Sequence, residues 1–295
     1  AFGNSMMLRL AMRMTKADAA SAQAWAVKAI SAGTMTSNDH IAAVTHTDGP
    51  EGINKNGHGE VFDVDSQMRL SATFEAHLSG DPRLSVLFAP GSSNTVIVGM
   101  PNGSTSDTYV GTDGVTVPGV TDRHVYAQTH PALRGKDVPM VFQTYAEVEF
   151  LKAEAAIRGW ISSSAEEHYN KGVTAAMKML KQLYPASTAI TDAEISAYLA
   201  GPGAYDASKG WEMAMNEYWK ATFLNEYEAY ANWRRTGYPT LTPTKHPNSV
   251  SNNQIFRRMI YPGGESATNG DNYAAAVARQ GADDFTTRML SLIHI

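Results

Sequence analysis

The sequence predicts a mainly α-helical protein built from antiparallel helix pairs and carrying one long irregular insertion at about 89–140. Three observations support this expectation. Apolar residues recur at helical spacing between recognisable start and stop signals over 3–31, 144–184 and 210–235. Small and aromatic residues alternate on successive helices of 144–184 where close packing requires them. Between Ala89 and Pro139, by contrast, Gly, Ser, Thr, Pro and Asp dominate, a composition suited to turns and loops.

Taken in order, residues 3–31 read as a helical hairpin. Leu8, Ala11 and Met12 mark one face, and Asp18 can cap an alanine-rich partner running to Ile30. Residues 33–66 are rich in Gly, Asn, His and Asp and read as irregular, whereas Ser66 to Leu78 reads as helical. Asp81-Pro82-Arg83-Leu84 starts a further helical turn with proline near its first position. Inside the insertion, Val96-Ile97-Val98 suggests a short strand. Connections of this length in a compact protein are usually functional or mobile, and this segment is the first place to look for a ligand surface.

The next helix pair has the clearest local logic. Thr144 with Glu147 suggests a capping box, Ser163 or Ser164 with Glu166 or Glu167 a second, and Thr191 with Glu194 a third. The first two helices turn at Gly159-Trp160. Ala153, Ala165, Tyr169 and Gly172 fall at the small, small, aromatic, small spacing of tetratricopeptide-like contacts, although the usual Trp, Leu and Pro positions are not filled. After the breaker Gly201-Pro202-Gly203, one long helix is expected from about Ser208 to Arg235. It stops at Trp233-Arg234-Arg235-Thr236-Gly237-Tyr238-Pro239. Two cations sit in the last turn, Gly237 is placed for a left-handed cap, and Pro239 prevents continuation. Short helices near Asn252–Met259 and Asn272–Arg279 complete the pattern.

Composition narrows the function classes. At 295 residues, with 43% hydrophobic and 18% charged residues, the chain is that of an ordinary globular protein with ample material for a core. A net charge of −5 without any basic stripe argues against nucleic acid as a partner. The absence of cysteine excludes disulfides, thiolate metal sites and a cysteine nucleophile. No histidine pair brackets a glutamate at one-turn spacing, and His124 and His130 read as loop residues rather than metal ligands. Asp63-Val64-Asp65 starts like a calcium loop, but Met68 and Phe74 stand where glycine and a bidentate glutamate are required. Neither a phosphate loop nor a nucleophile elbow is present. No cofactor is implied.

Glu147, Glu149 and Glu154 share one expected helix, where capping, ion pairing and solvation account for them better than catalysis. Glu226 and Glu228 precede Arg234 and Arg235 by about two turns, the setting of helix ion pairs. The stripe Trp211, Tyr218, Trp219, Phe223, Tyr227, Tyr230 and Trp233 reads as core. Tyr109 and Tyr126, joined by His124, lie in the polar insertion and are the better ligand candidates, because tyrosine offers a flat apolar face beside a polar tip.

Taken as an ordered set, these segments resemble the SusD/RagB-like nutrient-binding outer-membrane lipoproteins of Bacteroidetes-type bacteria. The set runs through Asn4-Ser5 with Leu8-Arg9-Leu10-Ala11-Met12-Arg13, Asp81-Pro82-Arg83-Leu84, Tyr145-Ala146-Glu147-Val148, Ala153-Glu154-Ala155, Gly159-Trp160 and Tyr169-Asn170-Lys171-Gly172-Val173. It ends with Trp233 to Pro239, Arg257-Arg258, Tyr261-Pro262, Glu265 and Asn269. The resemblance implies tetratricopeptide-like helix pairs with irregular insertions. It also implies a surface-exposed outer-membrane protein held by a lipid anchor and acting as the lid of a SusC-like TonB-dependent transporter. Such a protein captures glycans, or in some members peptides, without cleaving them. Within the resemblance, Glu147, Glu154, Trp233, Arg234, Arg235, Gly237, Tyr238 and Pro239 are structural positions rather than ligand contacts.

Residues 1–290 are accordingly expected to form a single domain, incomplete at both ends, with the signal and lipidated cysteine lying in a missing N-terminal part. Ser291-Leu292-Ile293-His294-Ile295 resembles a translated sequencing adapter and reads as a non-native tail. Two other classes remain open at this stage: a glycan-processing enzyme, which needs a carboxylate pair across a cleft, and a tetratricopeptide-like interaction scaffold.

Overall fold

The computed structural model describes residues 1–50, 53–65, 68–103, 108–110, 116–118, 123–245 and 248–288. It is mainly helical. Helices α1 (Phe2–Arg13) and α2 (Ala19–Ser31) form the expected hairpin. Leu8, Ala11 and Met12 of α1 share the core with Ala26 and Ala29 of α2, and Ala22 is buried as well. Asp18 caps α2 by accepting from the Ser21 N–H at 3.0 Å. At the far end the Asn4 amide donates to the carbonyls of Ala32 and Gly33, closing the hairpin.

The segment expected to be irregular contains β1 (Ala42–Val44) and a helix that the sequence did not reveal, α3 (Gly57–Val64). Asn56 caps α3 from its N-terminus. Its side chain also donates to the Val138 carbonyl, fixing the helix to a distant loop.

The helix expected from Ser66 to Leu78 is shorter: α4 spans Ala72–His77, capped by Ser71. Residues just before it are extended because their backbone groups pair elsewhere. The Leu70 N–H donates to Ala127, and the Leu70 carbonyl accepts from Met100. Helix α5 (Arg83–Leu87) follows, with Pro82 at its cap, and runs directly into β2 (Phe88–Ala89).

Val96-Ile97-Val98 is not a strand; the Val98 carbonyl instead accepts from Ala127. The insertion's extended pieces are β3 (Thr108–Val110), β4 (Thr116–Pro118), β5 (Gln128–Thr129) and β6 (Met140–Gln143). Among the described residues, antiparallel pairs β1–β6, β2–β5 and β3–β4 make three separate two-stranded ribbons. The ribbons β1–β6 and β2–β5 fasten the insertion to the helical scaffold at both of its ends.

The centre of the core is the pair α6 (Tyr145–Ile157) and α7 (Ala165–Leu183), which turns at Gly159 as expected. Gly172 is fixed by space: a Cβ there would lie 2.6 Å from the Phe150 ring. Gly172→Ala is therefore expected to destabilise the protein by about 1–3 kcal/mol, the usual cost of overpacking a filled core. A lowered urea midpoint with unchanged m-value is the readout. At the start of α6 the capping box is only half formed. Thr144 accepts from the Glu147 N–H, but the Glu147 carboxylate turns away to Arg9 and Gln143. Ser164 caps α7. The complete box is at α8 (Asp192–Leu199), between Thr191 and Glu194 as expected.

The long helix expected from Ser208 to Arg235 is two helices, α9 (Gly210–Ala221) and α10 (Glu226–Thr236). At the break the Thr222 hydroxyl bonds back to the carbonyls of Tyr218 and Trp219, and Leu224 adopts a left-handed conformation with φ of 64°. The terminal punctuation is as expected, with Gly237 at φ 79°. Near the end, α11 (Glu265–Thr268) and α12 (Gly270–Gln280) form, whereas the stretch 252–259 is not helical. Asn252 and Asn253 are both left-handed, which breaks helical continuation. The tail at 291–295 lies outside the described residues.

Glu147, Glu149 and Glu154 are buried rather than solvated. Each is neutralised by a named partner. Arg9 makes two hydrogen bonds to Glu147, at 2.5 and 2.6 Å. Glu149 takes Lys152 at 2.8 Å and His168 at 2.6 Å. Glu154 receives both terminal nitrogens of Arg235, each at 2.7 Å, with Arg158 at its edge. Arg235 thus reaches across to α6, and Glu228, instead of pairing along its own helix, binds Arg13 of α1. A fourth cluster joins Asp81, Arg83, Glu217 and Lys220, with Tyr198 donating to Glu217. Buried charges persist only when paired and hydrogen-bonded in this way.

Candidate functional site

A cleft of about 370 Å³ opens where the base of the insertion meets the scaffold. Its walls follow from the irregularities just described. The extended run before α4 brings Met68 and Leu70 to one side, and Ser71 then starts α4 so that Phe74 points inward. Phe88 enters from β2 and Thr129 from β5. The break between α9 and α10 releases Phe223 and Leu224 from the helical path and leaves Trp219 on the last turn of α9. Val61 and Phe62 of α3 face them.

The aromatic rings form one connected cluster. Phe74 stacks on Phe223 at 5.6 Å between centroids and meets Trp219 edge-on at 4.7 Å. Phe88 packs edge-on against both phenylalanines, at 5.8 Å from Phe74 and 5.1 Å from Phe223. Such edge-to-face and offset contacts contribute on the order of 0.5–1.5 kcal/mol per pair beyond burial, so the wall is stiff. Phe74 and Phe88 are buried behind it, while Trp219, Phe223 and Leu224 remain half-buried and reachable from solvent.

Polar groups stand at the rim. His58 of α3 and Glu226 of α10 pair at 3.2 Å across one edge. That hydrogen bond raises the His58 pKa and lowers that of Glu226. His77 lies against Trp219, and burial, reinforced by the Lys220 charge, lowers its pKa and favours the neutral ring. Arg69 lines the opposite edge and donates through Nε to the Arg123 carbonyl at 2.9 Å.

Through Arg69 the cleft connects to two of the ligand candidates read from the sequence. His124 lies in the turn Arg123–Val125 and is exposed; Tyr126 follows it and is half-buried. Neither lines the cleft itself. Tyr109 is in β3, its backbone opposite Val117, and its side chain lies outside the described residues. Arg257 lies 4.6 Å over the Trp233 ring, Arg234 lies 5.4 Å over Tyr230, and Tyr238 packs edge-on against Trp211. In the aromatic stripe, Tyr218 and Trp233 are buried as expected, but Tyr227 is 90% exposed.

The sequence had placed Trp219 and Phe223 in the core, and their spacing of four residues could have marked them as one wall. Phe88, His58 and the broken helix had no local signal. Other hollows differ in character. A polar groove of about 660 Å³ runs along α7, and an enclosed space of about 30 Å³ lies behind the cleft, sharing His58, Thr222, Phe223 and Leu224 with it.

Paired helices, buried cross-scaffold ion pairs and ribbons fastening a long insertion define a mainly helical, tetratricopeptide-like architecture. The family described as "Starch-binding associating with outer membrane", SusD-like, matches residues 1–262, and the chain belongs to it. Among solved structures, a chitin-binding protein is 31% identical with a TM-score of 0.80 over 98% of this chain. A Bacteroidetes SusD-like protein is 26% identical with a TM-score of 0.82, covering 99% of this chain and 69% of its own. A chitin-binding SusD homolog from Flavobacterium johnsoniae, 24% identical with a TM-score of 0.71 over 100% of this chain, shares the fold. This chain spans 63% of the length of each of the two chitin-binding proteins. No curated protein matches it. Among the described residues, no helix is long and apolar enough to cross a membrane.

Proposed function

We propose that this chain is the ligand-capturing part of a cell-surface nutrient-binding lipoprotein. It binds oligosaccharides in the aromatic cleft and passes them intact to a SusC-like TonB-dependent transporter in the outer membrane. The observation that carries this reading is the solvent-accessible aromatic wall of Trp219 and Phe223 at the junction of insertion and scaffold. Flat apolar faces with polar rims suit the C–H faces and hydroxyls of sugars. Membership of a family described by starch binding, and similarity to a chitin-binding protein, support a carbohydrate ligand.

A binding rather than hydrolytic role is supported by the cleft's chemistry. Among the described residues its wall carries one carboxylate, Glu226, already paired with His58. Glycoside hydrolysis needs two, flanking the bond. In the same reading His124 and Tyr126, beyond Arg69, extend the ligand surface, and Tyr109 is proposed as a further ligand contact.

Titration calorimetry against a panel of glycans and peptides, with chromatography of the recovered ligand, tests the proposal. Saturable heat with intact glycan is expected, and Trp219→Ala should weaken it at least tenfold, the loss typical of a stacking aromatic. Release of shortened sugars, or unchanged affinity in a folded Trp219→Ala variant, would contradict it.

A further inference from the structure

Away from the cleft, the turn between α6 and α7 holds a cluster of side chains that ligand capture does not use. Ser163 lies on the exposed turn just before α7, and its Oγ is 2.7 Å from Nε2 of the buried His168. The other ring nitrogen, Nδ1, is 2.6 Å from Oε2 of Glu149 on α6. An ionised carboxylate only accepts, so in the neutral ring the proton sits on Nδ1. Nε2 is then an acceptor, and the hydroxyl that donates to it is that of Ser163. Lys152 holds the other Glu149 oxygen at 2.8 Å. Burial alone would raise the Glu149 carboxyl, but the hydrogen bonds from His168 and Lys152 outweigh it and keep its pKa below the usual value. The carboxylate therefore stays charged and holds the ring in one tautomer.

We propose that Ser163, His168 and Glu149 form an acyl-ester hydrolase centre, with Ser163 the nucleophile, His168 the general base and Glu149 its positioning residue. Ser163 Oγ attacks the ester carbonyl carbon while Nε2 takes its proton. The carbonyl oxygen becomes an oxyanion at the N-terminal end of α7, where the first-turn N–H groups of Ala165 and Glu166 have no acceptor within the helix. As the carbonyl re-forms, the bond to the leaving alcohol breaks and Nε2 returns the proton to that oxygen. Water then attacks the acyl-serine, Nε2 takes its proton and passes it to Oγ, and a carboxylic acid is released. The acids of the same turn, Glu166 and Glu167, disfavour an anionic substrate. A serine on an exposed turn also favours a short acyl chain, so the substrate class is a neutral ester of a small carboxylic acid. Removing such a group from a sugar leaves every glycosidic bond intact, and the activity does not depend on what the cleft binds.

Two probes test the centre in the folded chain: hydrolysis of p-nitrophenyl acetate, and labelling by an alkyl fluorophosphonate followed by peptide mass spectrometry. The label should map to Ser163 rather than to its neighbours Ser162 and Ser164. Ser163→Ala, at an exposed position, should lower ester hydrolysis about tenfold or more, a loss at or below the low end of the range for acid–base-assisted steps because no cleft holds the substrate. His168→Ala, if folded by circular dichroism, should lose labelling, and added imidazole should restore it. A hydrogen-bonded turn with only a structural role would show no such rescue. Fluorophosphonate that leaves Ser163 unmodified, or hydrolysis unchanged in Ser163→Ala, would overturn the proposal. Labelling undiminished in folded His168→Ala, or lost without rescue, would overturn it as well.

Discussion

Arg83→Ala is expected to destabilise the protein by about 3–5 kcal/mol, the cost of removing one partner from a buried charge group. Arg83 is fully enclosed and gives Nε and Nη2 to Asp81, while Nη2 also reaches Glu217 at 2.6 Å. Without it two buried carboxylates share the single ammonium of Lys220. The free energy needed to protonate or hydrate one of them comes directly from the folded state. The interaction of charges, rather than lost volume, dominates this cost. Arg83→Met, which keeps most of the volume, should therefore remain strongly destabilised, and adding Asp81→Asn should recover part of the loss. Urea midpoints for the two single variants and the double variant give the coupling directly. Additive effects of the two substitutions would show that packing, not charge, sets the cost.

Glu154→Ala should cost a similar amount, about 3–5 kcal/mol, and more than Arg235→Ala. The asymmetry comes from the partners left behind. Removing Glu154 strands the buried Arg235 guanidinium, whose remaining partners at that end are the Asn232 amide oxygen and the Met215 sulfur. Removing Arg235 leaves Glu154 still held by Arg158, whose side chain is partly exposed and can adjust. Burial alone would raise the Glu154 carboxyl, but the charges and hydrogen bonds of Arg235 and Arg158 outweigh it and keep its pKa below the usual value. Denaturation midpoints of the two variants decide the order, and a larger loss for Arg235→Ala would refute this account.

What the sequence made legible was local. The hairpin of α1 and α2, the turn at Gly159, the cap at Thr191 and the stop at Gly237 each depend on residues within a few positions of one another. The features it hid depend on distant partners. Leu224 has no reason of its own to be left-handed; the conformation is held by the packing of Phe223 against Phe74 and Phe88. The run before α4 would be helical by periodicity, but Met100 and Ala127 claim its backbone groups first. Acids at 147, 149 and 154 look like a solvated face until their partners from α1, α7 and α10 are placed. The cleft inherits this difficulty. Trp219 and Phe223 were visible as an aromatic pair, but the broken helix that turns them toward Phe62 and Val61 was not.

The buried ion pairs also bear on how the chain is made. Arg9 and Glu147 are 138 positions apart, Arg83 and Glu217 are 134 apart, and Arg13 and Glu228 are 215 apart. A ribosome releases the cationic partner first in every one of these three cases. The α1–α2 hairpin can coil as soon as it emerges, yet its two arginines must stay hydrated until helices made much later arrive to meet them. Local helices form early on such a chain, and closure of the long loops between partners comes last and most slowly. The order of synthesis thus leaves the α1–α2 hairpin with two arginines uncompensated until the carboxylates that neutralise them exist.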